Sequence, residues 1–505
     1  MKRIGIIGAG ISGLTTAKAF LQKGYAVTVI EKAGMIGGVW EPSRSYLGVA
    51  TQTTRDEYAY SDFPMPAEYP MWPSGKQVQA YLESYATAFD IKKHISFHTE
   101  VLDLRHEGGQ WHMRIADTLD KRNTTVTFDF VAICTGTFHK PFVPDFPGAQ
   151  SFRDAGGAIL HSSQVKCPSL LKDKSVAVIG FAKSATDIAT LAADISKTCT
   201  LIYRKAQWKV PRFFGNKINM KYLLFSRLSE AFFNGPRKTA GHKILHSAGK
   251  PIVWLQWRAL EALLKKQFHL KACDMVPEHK IEDQISCALG VAPVGFYENV
   301  QSGKIVGKRT EIERFEGRNV ILKNGEVIAP DLVVCGTGFT QELPFLEDRA
   351  RNMIIDKDGN YRLFRNIVHP KVPNLGFVGF NSSLFSTLTS EIAARWLVAY
   401  ASKELQLPTA EKMKEEMDYM ARWRHSFRPY ANVFKGTCIA PFNFKHLDTL
   451  MKDMGLKTKV SRSLFEHLKP INPKDYSILL RNSNRVINTR TKQIKLERVE
   501  DSVVS

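Results

Sequence analysis

Three glycines are the first residues whose spacing could do chemistry. Gly8, Gly10 and Gly13 form GxGxxG within IGIIGAGISGLTTA, residues 4–17, after an apolar run and at the head of a helix-forming one. Gly8 permits a tight turn, Gly10 lets the backbone approach a pyrophosphate, and Gly13 lets the helix pack close to the strand. The amides and dipole of the helix start, through Ala9, Ile11 and Ser12, would face the phosphates. Glu31 ends the next apolar run, YAVTVIEK, 23 residues after Gly8. A carboxylate there accepts hydrogen bonds from ribose hydroxyls and repels a 2′-phosphate, which selects FAD or NAD.

A second such turn lies in VAVIGFAKSATDIA, residues 176–189. Gly180 takes the first glycine position, and Ala185 is an accepted substitute at the third. Ala182 is the real loss, because its Cβ holds a pyrophosphate slightly away. Lys183 and the helix-start residues Ser184, Ala185, Thr186 and Asp187 are expected to compensate. At the end of the following strand, Arg204 stands 24 residues after Gly180, where the first unit has Glu31, and Lys205 follows it. A basic pair there favours a 2′-phosphate, so this unit reads as an NADPH site rather than a decayed remnant.

Strand-like and helical runs alternate around these turns, as in an α/β protein. At 505 residues the chain is too long for one core. No apolar run is long enough to span a bilayer, and the first strand begins almost at Met1, which predicts an intracellular, cytoplasmic protein. Seven scattered cysteines without a CxxC pair predict reduced thiols, with no disulfide framework or zinc ribbon. His94 and His98 lie four apart, but their segment reads as a strand without a third ligand, so no metal is expected.

The net charge is +21, with eleven Lys or Arg against Glu230 alone between Arg204 and Lys250. This is either a solvated basic face or an anion-attracting one. No nucleic-acid-binding motif accompanies it, so nucleic acid is not an expected partner. Apolar residues interleave with the charge in KYLLFSRLSEAFF and KPIVWLQWRALEALLKK, which suits a peripheral membrane contact.

Further segments carry a family resemblance. TQTTRDEYAYSDFPMP (51–66), FVAICTGTFHKPFVPDFPG (130–148), DLVVCGTGF (331–339), STLTSEIAARWL and GTCIAPFNF, together with both turns, resemble the flavin-containing monooxygenases, a branch of the two-dinucleotide flavoproteins, from Lys2 to about Gly455. The resemblance implies two Rossmann-like domains, with the FAD domain discontinuous and the NADPH domain inserted. The boundaries expected are 1–166 and 331–445 for FAD, 167–330 for NADPH with the basic insertion, and 446–505 for a basic extension. It also implies that Gly38, Val39 and Trp40 of GMIGGVW, Val101, and Thr135 and Gly136 of the first ATG-like motif touch FAD. Gln52 stands where many members have a flavin-facing Asn; with Thr53 it is expected to shield the flavin, and Gln52 is the catalytic candidate.

The family fingerprint is altered in AGGAILHSSQV, where Gly157 and His161 match but Ala155 replaces a Phe and Val165 an aromatic; Phe152 is the shifted counterpart. The implied reaction uses NADPH and oxygen to form a flavin C4a-hydroperoxide that oxygenates an amine nitrogen or sulfide sulfur. The rival readings are a Baeyer–Villiger enzyme acting on ketones, a flavin disulfide reductase, which would need a redox cysteine pair, and a non-catalytic, nucleotide-responsive membrane-surface protein. Substrate identity and oligomeric state are not legible.

Overall fold

A computed structural model of the chain describes residues 2–138, 140–236, 238–284, 290–381, 383–428, 434–456 and 464–477. The chain opens with β1 (Arg3–Ile7), α1 (Ile11–Gln22), β2 (Ala26–Ile30) and β3 (Ile95–Ser96). An antiparallel meander, β4 (Thr99–Glu107), β5 (Gln110–Asp117) and β6 (Asn123–Phe128), leads into β7 (Phe130–Ile133). Next come β8 (Ala158–His161), β9 (Ser175–Ile179), α2 (Lys183–Ile195), β10 (Thr198–Ile202), α3 (Lys250–Gln267), β11 (Ile305–Lys308) and β12 (Leu332–Cys335). Further along lie β13 (Leu375–Phe377), α4 (Ser386–Ala401), α5 (Ala410–Phe427) and α6 (Asn443–Asp453).

Two parallel five-stranded sheets result. The first runs β13-β7-β1-β2-β3 and the second β11-β10-β9-β12-β8. Their centres are built alike: Ile4 pairs with Val27 and Phe130, and Val176 with Cys199 and Leu332. Parallel strands covered on both faces need near-continuous apolar runs, and Ile4, Ile6, Val131, Val178 and Val333 are fully buried. The α/β expectation holds. The first sheet takes β13 from far along the chain, and α4 lies against α1, with Ser12 Oγ 2.9 Å from Ser390 Oγ. The second sheet takes β8 and β12 from either side of residues 167–330.

α6 starts before residue 446 and is core, with Leu447, Leu450 and Met451 fully buried; Trp396 of α4 donates Nε1–H to Asp453 Oδ2 at 3.1 Å. One expectation is corrected. Cys438 is disulfide-bonded, with a partner outside the described residues. A long-range pairing leaves no mark in local cysteine spacing, which is why the sequence read as all thiol. Among the described residues no helix is long and apolar enough to cross a membrane.

Candidate active site

The first turn is built as its glycines require. Gly8 has φ +103°, and a Cβ there would lie 2.8 Å from the Cys134 carbonyl oxygen. A Cβ on Gly13 would fall 1.8 Å from the Gly8 oxygen, so α1 sits directly on its own turn. Gly10 faces the other glycine segment, its built Cβ 3.3 Å from Gly38 Cα. No side chain caps α1, so its first amides stay available to an anion. Glu31 is buried; its carboxylate accepts the Ala9 N–H at 2.6 Å and the Ala33 N–H at 2.9 Å, which fixes the acid against the turn.

Other expected FAD contacts gather nearby. Thr135 Oγ1 is buried with no hydrogen-bond partner among the described residues, and Thr135 Cα lies 3.6 Å from the Cβ built on Gly8. An unmet hydroxyl beside a Cβ-free cradle fits a polar ligand seated there. Gly136 follows with φ +70°. Trp40 donates Nε1–H to Tyr58 Oη at 3.1 Å, while its neighbour Val39 is exposed. The Ile11 carbonyl accepts Tyr60 Oη–H at 2.7 Å. Ser12 spends its hydroxyl on Ser390. Val101 is half-buried on β4 opposite Ile115, packed against the meander core.

The second turn keeps its geometry by a substitution on the opposite side. Gly180 has φ +115°, and a Cβ there would lie 2.5 Å from the Gly336 oxygen. The Ala185 methyl is fully buried and is accommodated because residue 336 is glycine: a Cβ on Gly336 would meet it at 2.5 Å. Ala182 begins α2 in extended conformation without a side-chain cap. Lys183 does not stand free over the turn; it forms an ion pair with Asp187, which also accepts Tyr46 Oη–H at 2.7 Å. Thr186 Oγ1–H returns to the Ala182 carbonyl, and Ser184 is half-buried. Arg204 is 80 % exposed with Nε 3.6 Å from Glu311, and Lys205 is exposed.

The altered fingerprint has a clear structural role. A Cβ on Gly157 would lie 2.4 Å from the Phe152 ring, so Phe152 packs where the shifted aromatic was expected. His161 Nδ1 accepts the Ser163 N–H at 3.1 Å, leaving Nε2 to donate to the Gly338 carbonyl at 2.9 Å. Burial lowers its pKa, which favours this neutral form.

Between the turns, Gln52 Oε1 accepts the Val291 N–H at 3.1 Å. Thr53 Oγ1–H donates to the Leu384 carbonyl at 3.3 Å. Lys209, which the sequence reading missed, is 2 % exposed and lies beside Gly290 in a short parallel bridge. A Cβ built on Gly290 would lie 3.6 Å from Lys209 Nζ and 3.7 Å from Gln52 Oε1. Burial brings the Lys209 pKa down to about 7, with Asp187 opposing the shift and Lys183 adding to it. In the run RKAQWK it passed as one more surface charge; its signal was the apolar pair Trp208 and Val210 on either side.

Past Leu384 opens a cavity of about 190 Å³ walled by Phe225, Phe233, Trp257, Leu384, Phe385 and Phe444. Glu230 is the one charged residue among its described lining. It accepts the N–H groups of Phe444 and Lys445 at 2.8 and 3.1 Å, at the start of α6, and burial pushes its carboxyl up to about 7.

A family model described as "Flavin-binding monooxygenase-like" matches residues 1–470. A probable flavin-containing monooxygenase 1 of Arabidopsis thaliana is 28 % identical, over 94 % of this chain and 96 % of its own. The fold is shared with an S-allyl-L-cysteine S-oxygenase from Allium sativum, at TM-score 0.62 and 18 % identity over 97 % of this chain and 99 % of that one. It is shared too with OTEMO, solved in complex with FAD and NADP, at TM-score 0.62 and 19 % identity over 82 % of this chain and 89 % of that one. The chain belongs to the flavin-binding monooxygenase-like family and is a flavoprotein monooxygenase.

Proposed function

We propose that the protein uses FAD and NADPH to oxygenate a soft nucleophile, an amine nitrogen or a sulfide sulfur, in a small apolar molecule. The observation that carries this reading is the aromatic cavity that starts at Leu384, the residue whose carbonyl Thr53 holds, one position from Gln52. Its aromatic walls suit an uncharged, polarisable substrate. Bound FAD would supply the oxygen-transfer chemistry. The glycine turn, Glu31 and Thr135 would hold that cofactor, and the turn at Gly180 with Arg204 and Lys205 would hold NADPH. Gln52, fixed by Val291, would orient the edge where the two meet. The FAD-binding part is then made of the first sheet, its meander and the β13–α4 segment. The NADPH-binding part runs from about residue 157 to about residue 338, wider than the 167–330 expected.

The test is NADPH consumption with a panel containing a thioether, a tertiary amine and a cyclic ketone, with products identified by mass. Sulfoxide or N-oxide with little lactone is the expected result. Lactone as the main product replaces this reading with the Baeyer–Villiger one, and purification without flavin sinks it.

The basic insertion also supports a peripheral membrane contact. Ile252, Trp254 and Leu255 on α3 are exposed, with Lys250 on the same helix. The exposed Tyr222 and Leu223 lie beside Lys221.

A further inference from the structure

α6 separates two cavities. Asn443 and Phe444 line the one beside Leu384, whereas Lys445, His446 and Thr449 line a second, of about 130 Å³, bounded also by α5 and residues 362–366. This second cavity plays no part in the reading above.

Its described lining is apolar and mostly cationic, with Glu416 its one acid. Met417, Met420, Trp423, Ile439 and Phe442 supply the apolar surface. Two of its arginines are matched by acids: Arg365 pairs with Asp453 at 2.7 Å and with Glu416, and Arg362 pairs with Asp418. Arg424 and Arg428 have no carboxylate at ion-pairing distance among the described residues. Arg424 donates to the Gly436 and Met420 carbonyls, and Arg428, among the described residues, to the Ala440 carbonyl. Arg428 is only 9 % exposed, and its Nη2 has no hydrogen-bond partner among the described residues. Lys445 Nζ is also buried without a hydrogen-bond partner among the described residues, although Glu230 offsets its charge from a distance. Arg428 and Lys445 converge on one ring, at 5.6 and 5.2 Å from the Phe442 centroid. The residues that follow Arg428, Pro-Tyr-Ala-Asn-Val, contain no acid.

Burying a guanidinium without an anion is costly, and arginine does not escape by losing its proton in proteins. Burial pulls Arg428 down to about 9, with Arg424 adding to the shift, which registers the same uncompensated charge. His446 in the lining is half-buried, and burial lowers its pKa to about 3, so it stays neutral and adds no cation. The volume is close to that of a dry protein cavity that takes benzene, about 150 Å³. Bare phosphate would leave the Trp423 and Met420 surfaces unfilled, and a neutral arene would leave Arg428 unpaired.

We propose that this cavity binds a small organic carboxylate with an aromatic body, its carboxylate on Arg428 and Arg424 and its ring against Trp423, Phe442 and Met420.

The test is calorimetric titration of the full-length, flavin-loaded protein with benzoate, benzyl alcohol and inorganic phosphate as probes. Benzoate should bind with one site per chain, benzyl alcohol at least about tenfold more weakly, and phosphate should not displace benzoate. Arg428→Gln should weaken benzoate about tenfold or more. Met420→Trp, which fills the cavity and keeps both arginines, should abolish binding with flavin content unchanged, so a folding failure at Arg428 leaves the test intact. Absence of benzoate binding, equal binding of benzyl alcohol, displacement by phosphate, or benzoate binding unchanged in Met420→Trp each overturns the proposal.

Discussion

Gln52 Oε1 accepts the backbone N–H of Val291 at 3.1 Å, which ties a loop of the first dinucleotide unit to the insertion of the second. The two residues are 239 apart in sequence. The bond fixes the direction of the Gln52 amide, and among the described residues its Nε2–H₂ has no hydrogen-bond partner. Gln52→Leu should remove the acceptor and strand the Val291 N–H, at about 1–3 kcal/mol. NADPH consumption should continue, with a larger share of oxygen leaving as hydrogen peroxide. A peroxide yield equal to that of the parent would remove Gln52 from the chemistry.

Lys209 predicts a pH dependence. Its ordinary value is 10.5 and burial brings it to about 7 in the folded chain. The groups facing it are Asp187, Lys183, the Gln52 amide and the Phe181 ring. Below about pH 7 both states hold the proton, and the fold carries the whole cost of a buried ammonium. Between about 7 and 10.5 only the unfolded chain holds it, so stability rises with pH through that window. Lys209→Met should therefore raise the melting temperature most below pH 7, with the gain fading as pH climbs. Melting curves of both proteins at about pH 6 and about pH 9 check it. A gain that is the same at both would mean Lys209 is not the titrating group.

These two residues also mark where sequence reading stops. Gly8, Gly13 and Glu31 were legible because strand, turn and helix fix their spacing locally; Arg204 stands one position past the counterpart of Glu31, which by strand register is Tyr203. The two sheets followed from apolar runs of the right length. Val291, Leu384 and Lys209 were not legible, because only tertiary folding brings them to Gln52 and Thr53. Lys183 pairs with Asp187 one turn along α2, and Asp187 takes a second partner, Tyr46, 141 residues away, which the sequence does not show. Cys438 carries no local sign of its disulfide.

Arg204 and Glu311 predict opposite effects on coenzyme choice. Arg204→Ala should lower the NADPH-over-NADH preference in kcat/KM by roughly 10–100-fold, the worth of one charge-assisted contact to a 2′-phosphate. Glu311 lies 3.6 Å from Arg204 Nε, so it competes for the guanidinium that the phosphate would use. Glu311→Gln should raise the preference. If both substitutions leave the ratio unchanged, the 2′-phosphate is held elsewhere.

The exposed apolar residues of α3 predict a lipid response. Vesicles with anionic lipid should retain the protein at low salt and release it as salt rises, and Trp254→Ser should weaken retention. Equal retention on neutral vesicles would remove the basic insertion as the cause.

Ala185 and Gly336 predict a pair that must change together. The second turn lost its third glycine, yet α2 still lies close to the sheet, because the residue opposite the Ala185 methyl has no Cβ. Gly336→Ala should overpack this contact, at about 1–3 kcal/mol, since the new Cβ would meet Ala185 Cβ at 2.5 Å and its Cα at 2.8 Å. Ala185→Gly alone removes one buried methyl and adds backbone freedom within a helix, at roughly 1 kcal/mol. Combined, they exchange which side carries the methyl and should recover most of the Gly336→Ala loss. A double-mutant cycle on melting, read together with the Michaelis constant for NADPH, checks this. Additive losses would mean that the two backbones adjust independently and that the tight turn at Gly180 does not depend on the residue facing Ala185.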